Sequence, residues 1–361
     1  MKPALAHRDS RVQQRAVRPI NPVALLTAAF LLTVLLLHHG SYTHDYIWRL
    51  RQIEVNKYLQ QMAVGGFLFL SGYKLMLSKA EVSPKAFWQN RFVRIYPPYL
   101  LAVIAYSFTD YVYRQESLPS LWNFLLHASL LQSLLPHLLG ESYRTLWFVS
   151  LLFCCYVFFI ATRRLVTRFW PYVAAVVLLA AVICNCRNVF AGWGVDVFIE
   201  SFEVFVLFFS CGMLYAVHQQ KVQAFIQQNI KPYRISVLMG AGVLSAVKLA
   251  AIASGASEAP AFYYFNVIAI LLTTIPLYFL FLSGAIEVTI KRPALSQLIR
   301  RISTASFFIF LFHRPIWSVL ANIWTGSGLF HSLYIFSVGL PLIFAVSYWG
   351  QTTYSALVKS R

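Results

Sequence analysis

Long apolar runs alternate with short basic stretches along the whole chain. The first run, Val23 to His39, approaches the ~20 apolar residues that a helix needs to cross a hydrocarbon core. Windows of about 19 residues place apolar segments near residues 22–39, 62–78, 96–113, 146–162, 170–190, 198–217, 235–254, 262–286, 304–321 and 331–350. The pattern predicts an all-α, polytopic integral membrane protein with about ten transmembrane helices in one bundle. Prolines refine it. Because proline suits a first helical turn and disfavours helix before it, Pro97-Pro98 predict that the third span starts beside them, with Arg91 and Arg94 pointing the same way from a preceding turn. Pro315 predicts a kink in the ninth span.

The connectors divide by charge. With the N-terminus inside, the inner segments hold most of the chain's 30 Lys and Arg, including Arg8, Arg11, Arg15 and Arg18, then Arg163, Arg164 and Arg168. The outer loops hold Arg49, Arg51, Lys57, Arg114, Arg144 and Arg187. Basic flanks stay cytoplasmic, so both termini are expected on that side. Residues 1–19 read as a disordered basic arm, 20–351 as the membrane domain and 352–361 as a tail. The outer stretch 114–145, apolar from Leu121 through Leu135, is expected to lie along the interface or to re-enter and cover a site from outside.

Composition agrees: 59% of residues are hydrophobic, 12% are charged and the mean hydropathy is +0.63, against roughly 25% charged in soluble domains. The net charge of +18 follows position between apolar runs rather than forming one basic face, which argues against a nucleic-acid partner. The five cysteines fall in or beside apolar segments at spacings poorly suited to bridging and read as apolar filler.

A few polar residues stand out in this oily background. An intramembrane histidine needs a partner or a wet cavity, which singles out His38, His39 and His313. Adjacent histidines point about 100° apart on a helix, so only one of His38 and His39 is expected to face the core well. Either could be a hydrated helix end without a role, or a general base for a hydroxyl, oriented by Asp45, Asp196, Glu200 or Glu203. Arg314 beside His313 should face protein or water. Gly65-Gly66 and Ser71-Gly72-Tyr73 suit close helix packing as well as a ligand face. Arg91 and Arg94, interleaved with Phe87, Trp88, Phe92 and Tyr96, suit either positive-inside flanks or recognition of phosphates and a stacked base. Lys248 lies inside the seventh span and is expected to pair or reach an interface.

In order along the chain, these pieces resemble acyltransferase family 3. The matching residues are His38 or His39 at the end of the first helix, Phe67-Leu68-Phe69-Leu70-Ser71-Gly72-Tyr73 and Arg91-Phe92-Val93-Arg94-Ile95-Tyr96-Pro97-Pro98-Tyr99. They continue with Leu146-Trp147-Phe148, Tyr156 and Phe310-Leu311-Phe312-His313-Arg314-Pro315. The resemblance covers residues 20 to 350. Members usually carry an arginine about ten residues before the first-helix histidine, where this chain has Thr27 and Ala28, and a glutamate where it has Leu152.

The resemblance implies a bacterial inner-membrane O-acyltransferase. It would take an acyl group, acetyl by preference, from cytoplasmic acyl-CoA to a hydroxyl of an envelope sugar, glycan or glycolipid, without a metal. His38 or His39 would be the catalytic base, Arg91 and Arg94 would bind the coenzyme A phosphates, and Ser71, Tyr73, Trp147, His313 and Arg314 would line the cavity. The same polar residues would also suit a transporter or flippase for a lipid-linked sugar or anion, although internal repeats of the kind common in transporters are not evident. A different membrane acyltransferase architecture is a third reading.

Overall fold

The computed structural model describes residues 20–39, 54–78, 83–114, 121–138, 143, 145–254, 260–286, 288, 290, 292–325 and 328–359. Its helices are α1 (Pro22–His39), α2 (Glu54–Leu77), α3 (Pro84–Arg114), α4 (Leu121–Ala128), α5 (Trp147–Thr162), α6 (Phe169–Ala191), α7 (Phe202–Gln228), α8 (Ile230–Ala253), α9 (Pro260–Leu282), α10 (Pro293–Ile323), α11 (Gly328–Ser337) and α12 (Gly339–Lys359). The described residues form helices and connecting turns without a strand, and each predicted apolar segment falls largely on helix. Seven stretches among the described residues are long and apolar enough to cross a membrane: α1, α6, α7, α8, α9, α10 and the α11–α12 pair. Large apolar side chains such as Leu101, Ile104 and Phe108 on α3 point outward at helical spacing, as a lipid-facing surface requires. The expected arm over residues 1–19 lies outside the described residues.

At the centre, α2 crosses α7 at close range. A Cβ on Gly72 would collide with the Phe209 carbonyl, and one on Gly212 would collide with the Phe69 carbonyl. Small residues let two backbones approach where lipid supplies no hydrophobic drive between helices. Gly65 lies under the Phe208 ring and Gly66 under Phe30, so the glycines of α2 pack rather than face a ligand.

The helix that carries the third apolar segment is not interrupted at the prolines. One helix, α3, begins at Pro84 and runs through Pro97 and Pro98 to Arg114. Proline at 97 cannot donate to the carbonyl four residues earlier, and that carbonyl, on Val93, instead accepts the Tyr354 hydroxyl of α12. The orphaned group has a partner from another helix, so the helix continues. α10 is likewise one helix through Pro315. The tenth apolar segment, in contrast, breaks at Val338 between α11 and α12, three residues before Pro341.

The stretch after α3 folds back along that helix. The Tyr99 hydroxyl donates to His127 O at 2.5 Å and the Tyr96 hydroxyl to Ala128 O at 2.9 Å. Tyr99 lies fifteen residues before the end of α3, roughly 22 Å along the helix axis, so the end of α4 sits deep against it. Return to α5 is tied by Gln132 to Leu146 O at 3.1 Å and Ser133 to Trp147 O at 2.6 Å. Buried peptide groups away from water must be paired, and these side chains supply the partners.

Candidate functional site

The C-terminal end of α1 places its two histidines in different surroundings. His38 is half-buried, and its Nδ1 lies 2.8 Å from Nε2 of His313 on α10, with the rings within 5° of parallel. His313 is fully buried, and its own Nδ1 is 2.8 Å from Phe310 O and 3.1 Å from Ile309 O. A carbonyl only accepts, so His313 Nδ1 carries hydrogen. In a neutral ring Nε2 then bears the lone pair, which makes His38 Nδ1 the donor between the rings. The lone pair of a neutral His38 consequently resides on Nε2.

His39 is 2% exposed. Its ring meets Trp317 and Phe336 edge-on at 5.9 and 5.4 Å, beside the Ser332 backbone and His331. Both histidines therefore face protein, against the expectation that only one would. The reason is that α10 flanks α1 while α11 adds a second wall. Arg314, 5% exposed, is enclosed in protein, as lipid demands.

Asp45, Asp196, Glu200 and Glu203 are the carboxylates expected to orient His38 or His39; the partner seen on His38 Nδ1 is instead His313, whose own Nδ1 points to the Phe310 carbonyl. Glu203 is committed elsewhere: Arg187 binds its two oxygens at 3.1 and 3.3 Å and donates to the Tyr263 hydroxyl at 3.0 Å. Asp196 receives His137 on its backbone oxygen at 2.6 Å, and Asp45 lies outside the described residues. Lys248, expected to find a partner, has its ammonium 5.8 Å from the Tyr58 ring centre.

A second cluster forms where α2, α3 and α5 meet near the basic end. The Arg91 guanidinium lies 5.5 Å from the Phe87 ring centre and 5.7 Å from that of Tyr156, within cation–π range. The Tyr156 hydroxyl lies beside Ser71. Tyr73, two residues further along α2, donates to Gln219 at 3.2 Å. Arg94 is exposed, so the two arginines do not share one orientation: Arg91 turns in over the rings and Arg94 outward.

Aromatic side chains connect the clusters. Phe310, 6.1 Å from the His313 ring, lies 4.9 Å from Phe148, which is 6.3 Å from Phe67. Eight residues of α5 separate Phe148 from Tyr156, about 12 Å of rise, and one turn of α2 separates Phe67 from Ser71. Trp147, expected in the cavity wall, packs on Phe205 at 5.4 Å while its carbonyl holds Ser133.

Beside this seam the stretch between α4 and α5 is fastened to the loop before α7. Phe198 and Ile199 donate to Leu134 O and Ser133 O at 2.9 and 3.0 Å. Leu130, Phe198 and Ser201 have φ of 62°, 58° and 64°, conformations that cost ~1–3 kcal/mol each for side chains of this kind. Sequence reasoning missed this fastening and the roles of Gln219 and Tyr354, because each depends on contacts between distant segments.

Comparison with curated proteins found no match, and comparison with solved structures found none either. The profile of the acyltransferase 3 family, described as an acyltransferase domain, matches residues 18–351 of the 361-residue chain. With a match over nearly its whole length, this membrane-embedded chain belongs to acyltransferase family 3.

Proposed function

We propose that the protein is an inner-membrane O-acyltransferase that moves an acyl group, acetyl by preference, from cytoplasmic acyl-CoA to a hydroxyl of an envelope sugar, glycan or lipid-linked saccharide. Its membership supports acyl transfer by a membrane protein. The observation that carries the residue assignment is the 2.8 Å contact between His38 and His313.

In this reading His38 Nε2 takes the proton of the acceptor hydroxyl as its oxygen attacks the thioester carbonyl. The new C–O bond forms, the C–S bond breaks, and the departing thiolate recovers the proton from His38. The hydrogen bond from His38 Nδ1 to His313 aligns the ring and stabilises the charge it gains. A positioned base of this kind contributes about 10²–10⁴ in rate.

Arg91, supported by Phe87 and Tyr156, is the residue best suited to a coenzyme A phosphate, because guanidinium binds phosphate through paired hydrogen bonds. Arg94, exposed beside it, adds attraction at the entrance. The pantetheine arm would extend along the inner faces of α2 and α5, past Ser71 and Phe148, toward the histidines. Lipid-facing and buried surfaces are already apolar there, so the thioester would react away from bulk water.

The test is to incubate purified protein with radiolabelled acetyl-CoA and envelope extract. Label in a glycan or glycolipid fraction is the expected result. Retained acetyl-CoA with no labelled acceptor, together with counterflow of a lipid-linked sugar, would instead indicate a transporter.

A further inference from the structure

We propose that a crevice at the basic end of the bundle, between α7, α8 and α9, is a binding site for an anionic phospholipid. It encloses about 560 Å³, within the ~300–1,000 Å³ typical of small-molecule sites. Val237 of α8 and Leu272 and Phe279 of α9 give it apolar walls, while Lys221 of α7 and Tyr233 and Ser236 of α8 are its polar lining. The Tyr233 hydroxyl is already engaged, donating to Pro276 O at 3.0 Å. Lys221 is therefore the group that selects charge.

The geometry indicates the route of entry. α8 contributes no buried residue to its span, and Leu238 and Met239 beside the crevice are exposed, so the opening is sideways into hydrocarbon. A lipid arriving laterally would lay an acyl chain between Val237 and Phe279 and leave its phosphate beside Lys221. The end of the molecule fits this polarity. Ile20 at the foot of α1 bonds Val288 O at 3.3 Å, and Arg234 at the start of α8 bonds Ala285 O at 3.2 Å. The crevice thus shares its end with the start of α1, next to Lys231 and Arg234, which are exposed. Basic side chains at that depth attract anionic headgroups, and a zwitterionic lipid would gain little from them. The proposal is independent of the transfer reaction.

The full-length protein, purified in detergent, is titrated with phosphatidylglycerol and separately with phosphatidylcholine of the same chains, and retained lipid is read by native mass spectrometry. One phosphatidylglycerol should be retained at a several-fold lower concentration than phosphatidylcholine. Lys221→Gln should reduce that preference roughly five-fold, and Ser236→Phe, which fills the crevice, should lower retention of both lipids. Equal retention of the two lipids by the unaltered protein, or undiminished phosphatidylglycerol retention by Ser236→Phe, overturns the proposal. The lipid comparison and Ser236→Phe decide it even if Lys221→Gln does not fold.

Discussion

His38 and His313, 275 residues apart in the chain, meet nitrogen to nitrogen at 2.8 Å, and the Phe310 carbonyl fixes which nitrogen of His313 holds its hydrogen. In the proposed reaction His313 is a positioning residue: it touches His38, and His38 would meet the acceptor. His313→Gln keeps an acceptor at a reach close to Nε2, whereas His313→Phe keeps the ring and loses it. We expect His313→Phe to lower kcat roughly 10–100-fold, in line with loss of one orienting hydrogen bond, with little change in KM for acyl-CoA. His313→Gln should recover part of it. Equal kcat losses in both, or a loss confined to KM, would reject the positioning role.

Arg91 and Arg94 differ in setting, so they should differ in effect. Arg91→Ala removes a guanidinium held over two rings and is expected to weaken acyl-CoA binding by about 1.5–3 kcal/mol, the range for hydrogen bonds to charged groups. Arg94→Ala, exposed, should cost under about 1 kcal/mol. Titration of a non-hydrolysable acyl-CoA analogue by calorimetry measures both; equal effects would remove the distinction.

The α2–α7 crossing gives a prediction about stability alone. Gly72→Ala forces a methyl group into the Phe209 carbonyl, and backbone cannot swing aside as a side chain can. It should destabilise by about 1–3 kcal/mol, the usual cost of overpacking. Gly240→Ala, with nothing within 4 Å, should be neutral or stabilise by up to ~1 kcal/mol. Thermal unfolding in one detergent compares them, and a neutral Gly72→Ala would show that the helices separate easily.

Glu203 tests the separation between structural and chemical carboxylates. Glu203→Ala leaves the partly exposed Arg187 without its ion-pair partner, which should cost about 1–3 kcal/mol, the range for losing hydrogen bonds to a charged group. Folded protein should nevertheless retain kcat per molecule. A large kcat loss in well-folded Glu203→Ala would mean that this carboxylate serves the reaction.

Much of the architecture is legible in the sequence because lipid imposes a simple rule: a spanning segment must be apolar and must satisfy its own backbone. The apolar runs that fall on helices follow from it. The rule says nothing about partners across the bundle. That Tyr354 caps the carbonyl exposed by Pro97, so that α3 continues, is a contact between residues 261 positions apart. The pairing of His38 with His313 is of the same kind. Both histidines could be nominated singly, as costly residues at membrane depth, but which of His38 and His39 reaches His313 depends on the rotation of α1 against α10. Glu203 misled for the same reason, since its spacing could not reveal Arg187.

The most direct measurement is transfer by His38→Ala and His39→Ala, compared singly at equal amounts of folded protein. The account predicts that His38→Ala lowers kcat by about 10²–10⁴, while His39→Ala, which loses the ring's packing against Trp317 and Phe336 and its contact with the Ser332 backbone, lowers stability and leaves kcat within a few-fold of the unaltered protein. Undiminished transfer by His38→Ala, or the large kcat loss appearing in His39→Ala instead, would contradict it.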